Sequence, residues 1–323
     1  MGFIKLSLSL LFLVFSFYGP YTAFLNDAPI SKNNVIDIYP GDSIATSIKK
    51  ISLDNPINKI FIKLFLISNN ISNFKAGEYS VENKKIKDII IDMSNGVTVT
   101  HKFTILEGTN IYDLEEQINN SELINDCPYL ECVDTSFPFY EGILFPDTYF
   151  YKKGMRSSSL LNKSSKRMSD FIESLEANKY LPLSKNELVI LASIIEKEAG
   201  NDSEKDQIAS VFLKRLSINM KLQADPTIIY GLLPNFDGDI KKSDILNKDN
   251  KYNTYMIKGL PPTPIAISSK SSILAAFNAS PGDYLYFVAN SPTSHYFSKT
   301  YEEHLSKIKE LGLNKWGFCL LKE

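Results

Sequence analysis

The sequence of 323 residues is poor in residues that mark several protein classes, with three cysteines, three histidines and one tryptophan. Cys127, Cys132 and Cys319 form no CxxC pair and no cysteine–histidine cluster with the spacing of a zinc site. We therefore predict no structural metal and no cofactor. Cys127 and Cys132 are close enough in sequence to form a disulfide in an oxidising compartment, and two free thiols are the alternative.

The sequence also lacks an excess of either charge. It has 35 Lys and Arg against 37 Asp and Glu, which gives a formal net charge of -2, and the two signs are interleaved along the chain. Nucleic-acid binders usually carry a basic excess or stripe, so this pattern argues against a nucleic-acid partner. Hydrophobic residues make up 44%, which is ordinary for a folded protein, and the length predicts two folded units.

Charged residues are absent from one segment near the N-terminus, Leu6 to Leu25. A helix of about 20 apolar residues is long enough to cross a bilayer, so an uncleaved transmembrane anchor is the favoured interpretation. A cleaved signal peptide is the alternative, because the most apolar part, Leu6 to Tyr18, is short. Both interpretations predict that the rest of the chain is exported.

A short unit of strand, turn and helix recurs between residues 34 and 120. Its three copies are VIDIYPGDSIATSIKKI, GEYSVENKKIKDIIIDM and HKFTILEGTNIYDLEEQI. Between the first two copies, the segment from Ile57 to Ser68 is apolar at helical spacing. The sequence therefore predicts the order strand, helix, helix, strand from Val35 to about Met93.

The best-defined helix of the C-terminal half follows Ser184. Ser184 and Glu187 have the spacing of a capping box, and Gly200 is placed to terminate the helix. A second helix is predicted to follow, with Asp202 or Ser203 as its N-cap. Further patterns predict a helix over residues 160–178, strands over 284–289 and 295–298, and a helix over 301–311.

Two acids lie in the last turn of this helix, Glu196 and Glu198. Glu198 projects onto the apolar face formed by Leu191, Ile194 and Ile195. Burial raises the pKa of a carboxyl group, and the negative end of the helix dipole acts in the same direction. Because a carboxyl that stays protonated near neutral pH suits a general acid, this argument favours Glu198.

A structural interpretation competes with this one. Both acids could form surface salt bridges with Lys197, Lys205 or Arg215, and the pattern by itself favours that alternative.

Six stretches of the sequence resemble a known family. They are FKAGEYSV, EGILFPDTY, IIEKEAG, VFLKRLSINMKLQADPTIIYG, YNTYMIKGLPPTPIA and YFVANSPTSHYFSKTYEEH. In order and spacing they are similar to the endolytic murein transglycosylase family (MltG/YceG-like), and the resemblance extends from about Val35 to Leu311. It implies an α+β chain in three parts: a transmembrane helix in residues 1–25, a LysM-like βααβ module in residues 26–100, and a mixed α/β catalytic domain in residues 101–323.

The resemblance also implies an activity. Members of this family cleave between N-acetylmuramic acid and N-acetylglucosamine without water, leaving a 1,6-anhydromuramic end. The family's catalytic glutamate is the second acid of the EKE motif, which is Glu198 here. Glycosidic cleavage usually takes two carboxylates. In this reaction the sugar's own C6 hydroxyl attacks, so one acid/base can suffice, and Asp225 and Asp147 are candidates for a second carboxylate.

Polar and aromatic side chains of the LQADPT and YNTY stretches are candidate substrate-binding residues. They are Gln223, Asp225, Thr227, Tyr252, Asn253 and Tyr255. In the alternative interpretation, Asp225 caps the following helical turn and the YNTY residues belong to the core or to a loop. Asn253 is also a candidate to orient Glu198. For His295 and His304 we favour structural hydrogen-bonding roles, and a general base is the alternative.

The resemblance implies peptidoglycan glycan strands as substrate, the inner membrane as the anchoring site, and peptidoglycan synthases as partners. The catalytic domain would then lie on the periplasmic, extracytoplasmic side. Two other functions compete with this one. One is a binding protein that holds peptidoglycan without cutting it, and the other is a muramidase with two working carboxylates, whose products carry reducing ends.

Overall fold

The computed structural model describes residues 15–175 and 183–313. The chain divides into two compact units, one comprising residues 1–101 and 150–155 and the other residues 102–149 and 156–323. Of the predicted anchor, only residues 15–25 belong to the described part, and they are helical. None of the helices within the described ranges combines the length and apolar character needed to span a bilayer.

The first unit has the predicted order of strand, helix, helix and strand. Its elements are β1 (Val35–Ile38), α1 (Ile44–Ile48), α2 (Pro56–Ser68), β2 (Gly77–Ser80) and α3 (Ile86–Asn95). β1 and β2 pair antiparallel. Ser43 caps α1 by accepting a hydrogen bond from the Thr46 N–H at 3.1 Å. The apolar sides of α1, α2 and α3 close one core over this small sheet.

The remaining elements belong mainly to the second unit. They are β3 (His101–Ile105), α4 (Ile111–Asn119), β4 (Asp147–Tyr151), α5 (Ser157–Glu173), α6 (Lys185–Glu198), α7 (Lys205–Ser217), α8 (Asp225–Leu232), α9 (Lys242–Ile245), α10 (Lys270–Asn278), β5 (Tyr286–Ser291), β6 (Ser294–Ser298) and α11 (Tyr301–Glu310). β3 pairs with β4, and β5 pairs with β6. All three strand–turn–helix units predicted from the sequence are therefore present, together with the two predicted C-terminal strands, which form a hairpin, and the predicted C-terminal helix.

Helix α6 is the central element of the second unit. Its N-terminus has the predicted capping box, in which the Ser184 hydroxyl accepts from the Glu187 N–H and the Glu187 carboxylate accepts from the Ser184 N–H. Every residue from Leu188 to Ile195 is buried, because α6 packs against α7, α8 and α10. A helix that is buried on all sides holds the residue at its end in a fixed place.

The predicted role of Gly200 as the helix terminator is wrong. Helix α6 ends at Glu198, and the extended backbone of Ala199 caps it. A Cβ atom on Gly200 would lie 2.9 Å from the Cα atom of Thr293 in the β5–β6 turn. Glycine is therefore needed at this position because the backbone of the hairpin comes so close to the end of α6.

The N-cap predicted for the next helix also differs from the structure. Asn201, rather than Asp202 or Ser203, acts as the cap, since its side-chain oxygen accepts from the Ser203 N–H at 2.8 Å. It opens a short 3₁₀ turn, Asp202–Glu204, and α7 begins directly after that turn at Lys205.

Of the two alternatives for Cys127 and Cys132, the structure contains the disulfide. The bond closes a short loop between α4 and β4, and Cys127 is fully buried. Cys319 lies outside the described residues.

Candidate active site

Glu198 is the last residue of α6, and its carboxyl group lies close enough to Asp225 and Arg215 to be influenced by their charges. The residue keeps partial exposure to solvent, while the protein around its carboxyl group raises the pKa to about 8. Burial is the largest cause, the nearby negative charge of Asp225 acts in the same direction, and the cation of Arg215 opposes both. The raised pKa that the apolar helix face predicts for Glu198 is therefore present.

The Glu198 carboxyl group is also unusual in its lack of partners. No hydrogen bond or ion pair to it is found among residues 15–175 and 183–313. A carboxyl that is largely desolvated but still partly reached by solvent can give its proton to a group arriving from solvent. The interpretation that Glu198 forms a surface salt bridge is therefore wrong.

Glu196, two residues earlier, has the opposite environment. Its carboxylate accepts hydrogen bonds from the Ser269 N–H at 2.9 Å, the Ser269 hydroxyl at 2.5 Å and the Ser272 hydroxyl at 2.6 Å. It also pairs with Lys205 at 3.3 Å. Burial opposes ionisation, but these donors and the lysine outweigh it, so the pKa of Glu196 is lowered. Glu196 is thus an ionised, structural acid whose salt bridge is buried and not on the surface.

Asp225 supplies a second carboxyl group to the site. It is the first residue of α8, and the Tyr255 hydroxyl donates to its Oδ1 atom at 2.6 Å. Burial raises the pKa of Asp225, and this hydrogen bond partly offsets the effect. The side chain of Asp225 does not cap α8, whose N-cap is Ala224, so the capping interpretation is wrong.

Arg215 is the buried cation of this site. Its Nε atom donates to the Leu285 carbonyl at 2.7 Å, and its Nη1 atom donates to the Leu222 carbonyl. The guanidinium group lies 5.6 Å from the ring centroid of Tyr286. Burial lowers the pKa of Arg215, while the charges of Tyr255 and Glu198 act against that shift. These carbonyl contacts fix a positive charge whose effect reaches Glu198.

The other LQADPT residues divide by exposure. Gln223 is exposed and has a φ of 51°, a left-handed backbone conformation that turns the chain just before Asp225. Thr227 is fully buried, and its hydroxyl donates to the Ala224 carbonyl at 2.6 Å. Gln223 can therefore reach a ligand from solvent, whereas the burial of Thr227 indicates a supporting role.

The YNTY residues also differ in how far solvent reaches them. Asn253 is fully buried, and its amide nitrogen donates to the carbonyls of Asp244, Ile245 and Asn247 at 2.9–3.1 Å. It holds this loop together and makes no hydrogen bond to Glu198. The half-buried Tyr252 donates to or accepts from the Thr263 hydroxyl at 2.8 Å, and its ring stands edge-on to Tyr230, centroids 4.8 Å apart.

Sequence reasoning missed one acid of the second unit, Glu141. Its carboxylate accepts from the Ile111 N–H at 2.8 Å and from the Gly142 N–H at 3.0 Å, and the Tyr230 hydroxyl also donates to it. Burial is the dominant influence and raises its pKa to about 7. The signal was available, since Glu141 is the acid that opens the matched EGILFPDTY stretch.

Asp147 in the same stretch pairs with Arg167 at 2.7 Å, which lowers the pKa of Asp147.

The two C-terminal histidines differ. His295 has the predicted structural role, since its Nδ1 atom lies 2.9 Å from the Glu204 carboxylate. The Nδ1 atom of His304 is buried without a hydrogen-bond partner among residues 15–175 and 183–313, so the predicted hydrogen bond is not seen there. His304 stacks on Tyr286 with ring centroids 5.3 Å apart.

Comparisons with known proteins match this architecture. The model of the YceG-like family matches residues 36–310. The endolytic murein transglycosylase of Bacillus subtilis (strain 168) is 30% identical over 309 residues, which cover 87% of this chain and 85% of that protein. The endolytic murein transglycosylase of Streptococcus pneumoniae serotype 2 (strain D39) is 31% identical over 178 residues, 53% of this chain and 32% of that protein.

A solved structure is also similar. The 2.6 Å crystal structure of a YceG-like protein from Listeria monocytogenes superposes with a TM-score of 0.53 at 28% identity, covering 84% of this chain and 97% of that one. Since the family model spans residues 36–310 and the Bacillus subtilis relative matches 87% of the chain, the chain belongs to the YceG-like family.

Proposed function

We propose that this chain is an endolytic lytic transglycosylase of peptidoglycan. It cleaves the β-1,4 bond between N-acetylmuramic acid and N-acetylglucosamine within nascent glycan strands, without water, and thereby ends strand elongation. The names of its relatives support this reaction class. The observation that carries the proposal is Glu198, a carboxyl group with a pKa raised to about 8 and no bonding partner in the described part of the chain.

Glu198 acts twice in this mechanism. Its proton passes to the glycosidic oxygen as the bond to C1 of the muramic sugar breaks, and N-acetylglucosamine leaves as the free 4-hydroxyl. The resulting carboxylate then takes the proton of the muramic C6 hydroxyl, whose oxygen bonds to C1 and closes the 1,6-anhydro ring. The glutamate ends protonated as it began, so one carboxyl group completes the cycle.

Asp225 and Arg215 stabilise the charges that develop during this reaction. The charge of Asp225 acts on Glu198, so the two carboxyl groups lie near each other. When positive charge develops at C1 of the muramic sugar, the Asp225 carboxylate stabilises it. Arg215 stabilises the Glu198 carboxylate between the two proton transfers. We assign direct substrate contacts to the residues that solvent reaches, which are Gln223, Asp225, Tyr252 and Tyr255, and supporting roles to Thr227 and Asn253.

Asp225 also favours the rival muramidase reaction. A second carboxylate near a general acid can activate water, and the products then carry reducing muramic ends. The two reactions are separated by mass spectrometry of the muropeptides that purified full-length protein releases from peptidoglycan. We expect anhydromuramic ends. Predominance of reducing ends would replace the transglycosylase by a muramidase, and binding without any product would favour a peptidoglycan-binding protein.

The pH dependence tests the role of Asp225. Activity needs protonated Glu198, so kcat/KM should fall as the pH rises through about 8. Because the anion of Asp225 raises the pKa of Glu198, Asp225→Asn should lower that pKa and move the alkaline limb to lower pH. The full pH profile of both proteins gives the measurement. An alkaline limb that stays in place in Asp225→Asn would show that the two acids are not coupled.

For the cellular location, we propose a single-pass protein of the inner membrane with both units on the extracytoplasmic side. The charge-free segment Leu6–Leu25 supports the anchor, and the Cys127–Cys132 disulfide supports an oxidising compartment. The βααβ order in residues 35–80 supports a LysM-like module that holds glycan strands. A tether of this kind raises the local concentration of the enzyme at newly made strands and at peptidoglycan synthases, its proposed partners.

A further inference from the structure

Helix α2 of the first unit is apolar on two sides. Phe61, Ile62 and Phe65 point into the core. A second set of residues, spaced three and four apart and therefore on one face, points to solvent. This α2 stripe consists of Ile57, Ile60, Leu64 and Ile67, which are 62%, 53%, 41% and 64% exposed. Soluble monomers rarely expose so continuous an apolar row, which runs for about 15 Å along the helix.

The buried side of α2 contacts the apolar N-terminal segment. The Phe61 ring, next to Ile60 in sequence, contacts three aromatic rings of the helical residues 15–25. Its centroid lies 5.4 Å from that of Phe17, 5.6 Å from that of Tyr21 and 5.8 Å from that of Phe24. This helix belongs to the charge-free run Leu6–Leu25. The helix that carries the stripe therefore packs against the segment that the proposed function places in the membrane.

The charges of α2 fit the same surface. The helix contains two lysines, Lys59 and Lys63, and no acidic residue. Both lysines are exposed and follow the stripe along the helix surface, and Lys59 forms an exposed ion pair with Asp54 at 2.7 Å, which contributes little and can give way to a lipid phosphate. Long lysine side chains can lay their methylenes on an apolar surface while the ammonium group reaches the phosphates of anionic lipids. Apolar residues on one side and lysines beside them are typical of helices that lie in the membrane interface.

We propose that α2 lies on the membrane surface, with the α2 stripe inserted among the lipid acyl chains and Lys59 and Lys63 at the headgroups. This inference rests on the proposed membrane anchor. It gives α2 a second contact with the bilayer and fixes how the first unit is oriented above it. A single transmembrane helix would leave that orientation free.

The test uses the full-length chain in vesicles of phosphatidylcholine and phosphatidylglycerol. A Cys319→Ser background leaves Cys127 and Cys132 joined to each other, so a cysteine introduced as Ile60→Cys can be labelled with bimane. A nitroxide group near the top of the lipid acyl chains then serves as quencher. The matched control is Ile91→Cys, an exposed isoleucine on α3 of the same unit. We expect several-fold stronger quenching and bluer emission at position 60 than at position 91.

The outcomes separate this inference from the proposed function. If the protein does not float with the vesicles, the membrane anchor is wrong and the inference falls with it. Flotation with equal quenching at the two positions overturns the inference alone. Blue-shifted emission at position 60 without lipid quenching also overturns it, since protein, such as a second copy of the chain, then covers the stripe.

Discussion

Glu198→Gln should abolish glycan cleavage, with a loss of about 10²–10⁴-fold in rate, while the protein stays folded. The amide has nearly the same shape as the carboxyl group but has no acidic proton to donate. Because no described residue bonds to the Glu198 carboxyl, the substitution breaks no contact. Rates of muropeptide release measure the loss, and thermal unfolding of the same sample measures the fold.

Glu196→Gln is the matched control for this experiment. Both variants remove one acid from the last turn of α6, but Glu196 is bound by two serines and Lys205. Glu196→Gln should therefore lower stability and retain cleavage when the rate is referred to folded protein. Retained activity in Glu198→Gln together with loss in Glu196→Gln would move the catalytic role to the other acid.

Lys205→Met should lower the free energy of unfolding by about 3 kcal/mol. The side chains of Lys205 and Glu196 are only 7% and 11% exposed. Methionine fills a similar volume but leaves the Glu196 carboxylate buried without its cation, and an uncompensated buried charge is costly. Urea unfolding of the two proteins at neutral pH, where Glu196 is ionised because its pKa is lowered, gives the difference.

A surface lysine provides the comparison for that measurement. Lys185 pairs with Glu173 at 3.8 Å, and both side chains are more than half exposed. Lys185→Met should change the free energy of unfolding by less than about 1 kcal/mol, since exposed ion pairs contribute little. If the two lysine variants are equally stable, the buried pair does not hold the end of α6.

The fold was predictable where the signals are local. Ser184 and Glu187 predicted the start of α6 because both partners of a capping box lie within four residues. The three strand–turn–helix units were predicted from hydrophobic spacing, which is also a signal contained in a short stretch of sequence. Gly200 was misinterpreted because its reason is a contact with Thr293, which lies far away in sequence. A glycine that makes room for a distant backbone looks the same in the sequence as one that ends a helix.

The site was predictable only in part. Helical spacing offered a raised pKa of Glu198 as one of two interpretations, since its apolar neighbours lie on the same helix, and surface salt bridges were the other. It could not predict that Glu196 is bound by Ser269 and Ser272, which come from another helix. The burial of Arg215 and the hydrogen bonds of Glu141 likewise depend on packing between elements, which spacing along the chain does not contain.

The contact between Gly200 and Thr293 links two parts of the chain that the sequence separates widely. The atoms that a side chain at position 200 would strike are backbone atoms, so no change of residue type at position 293 can make room. The glycine can be replaced only if the whole β5–β6 hairpin shifts outward. During divergence of the family, the residue after the EKEA stretch and the length of this hairpin should therefore change together.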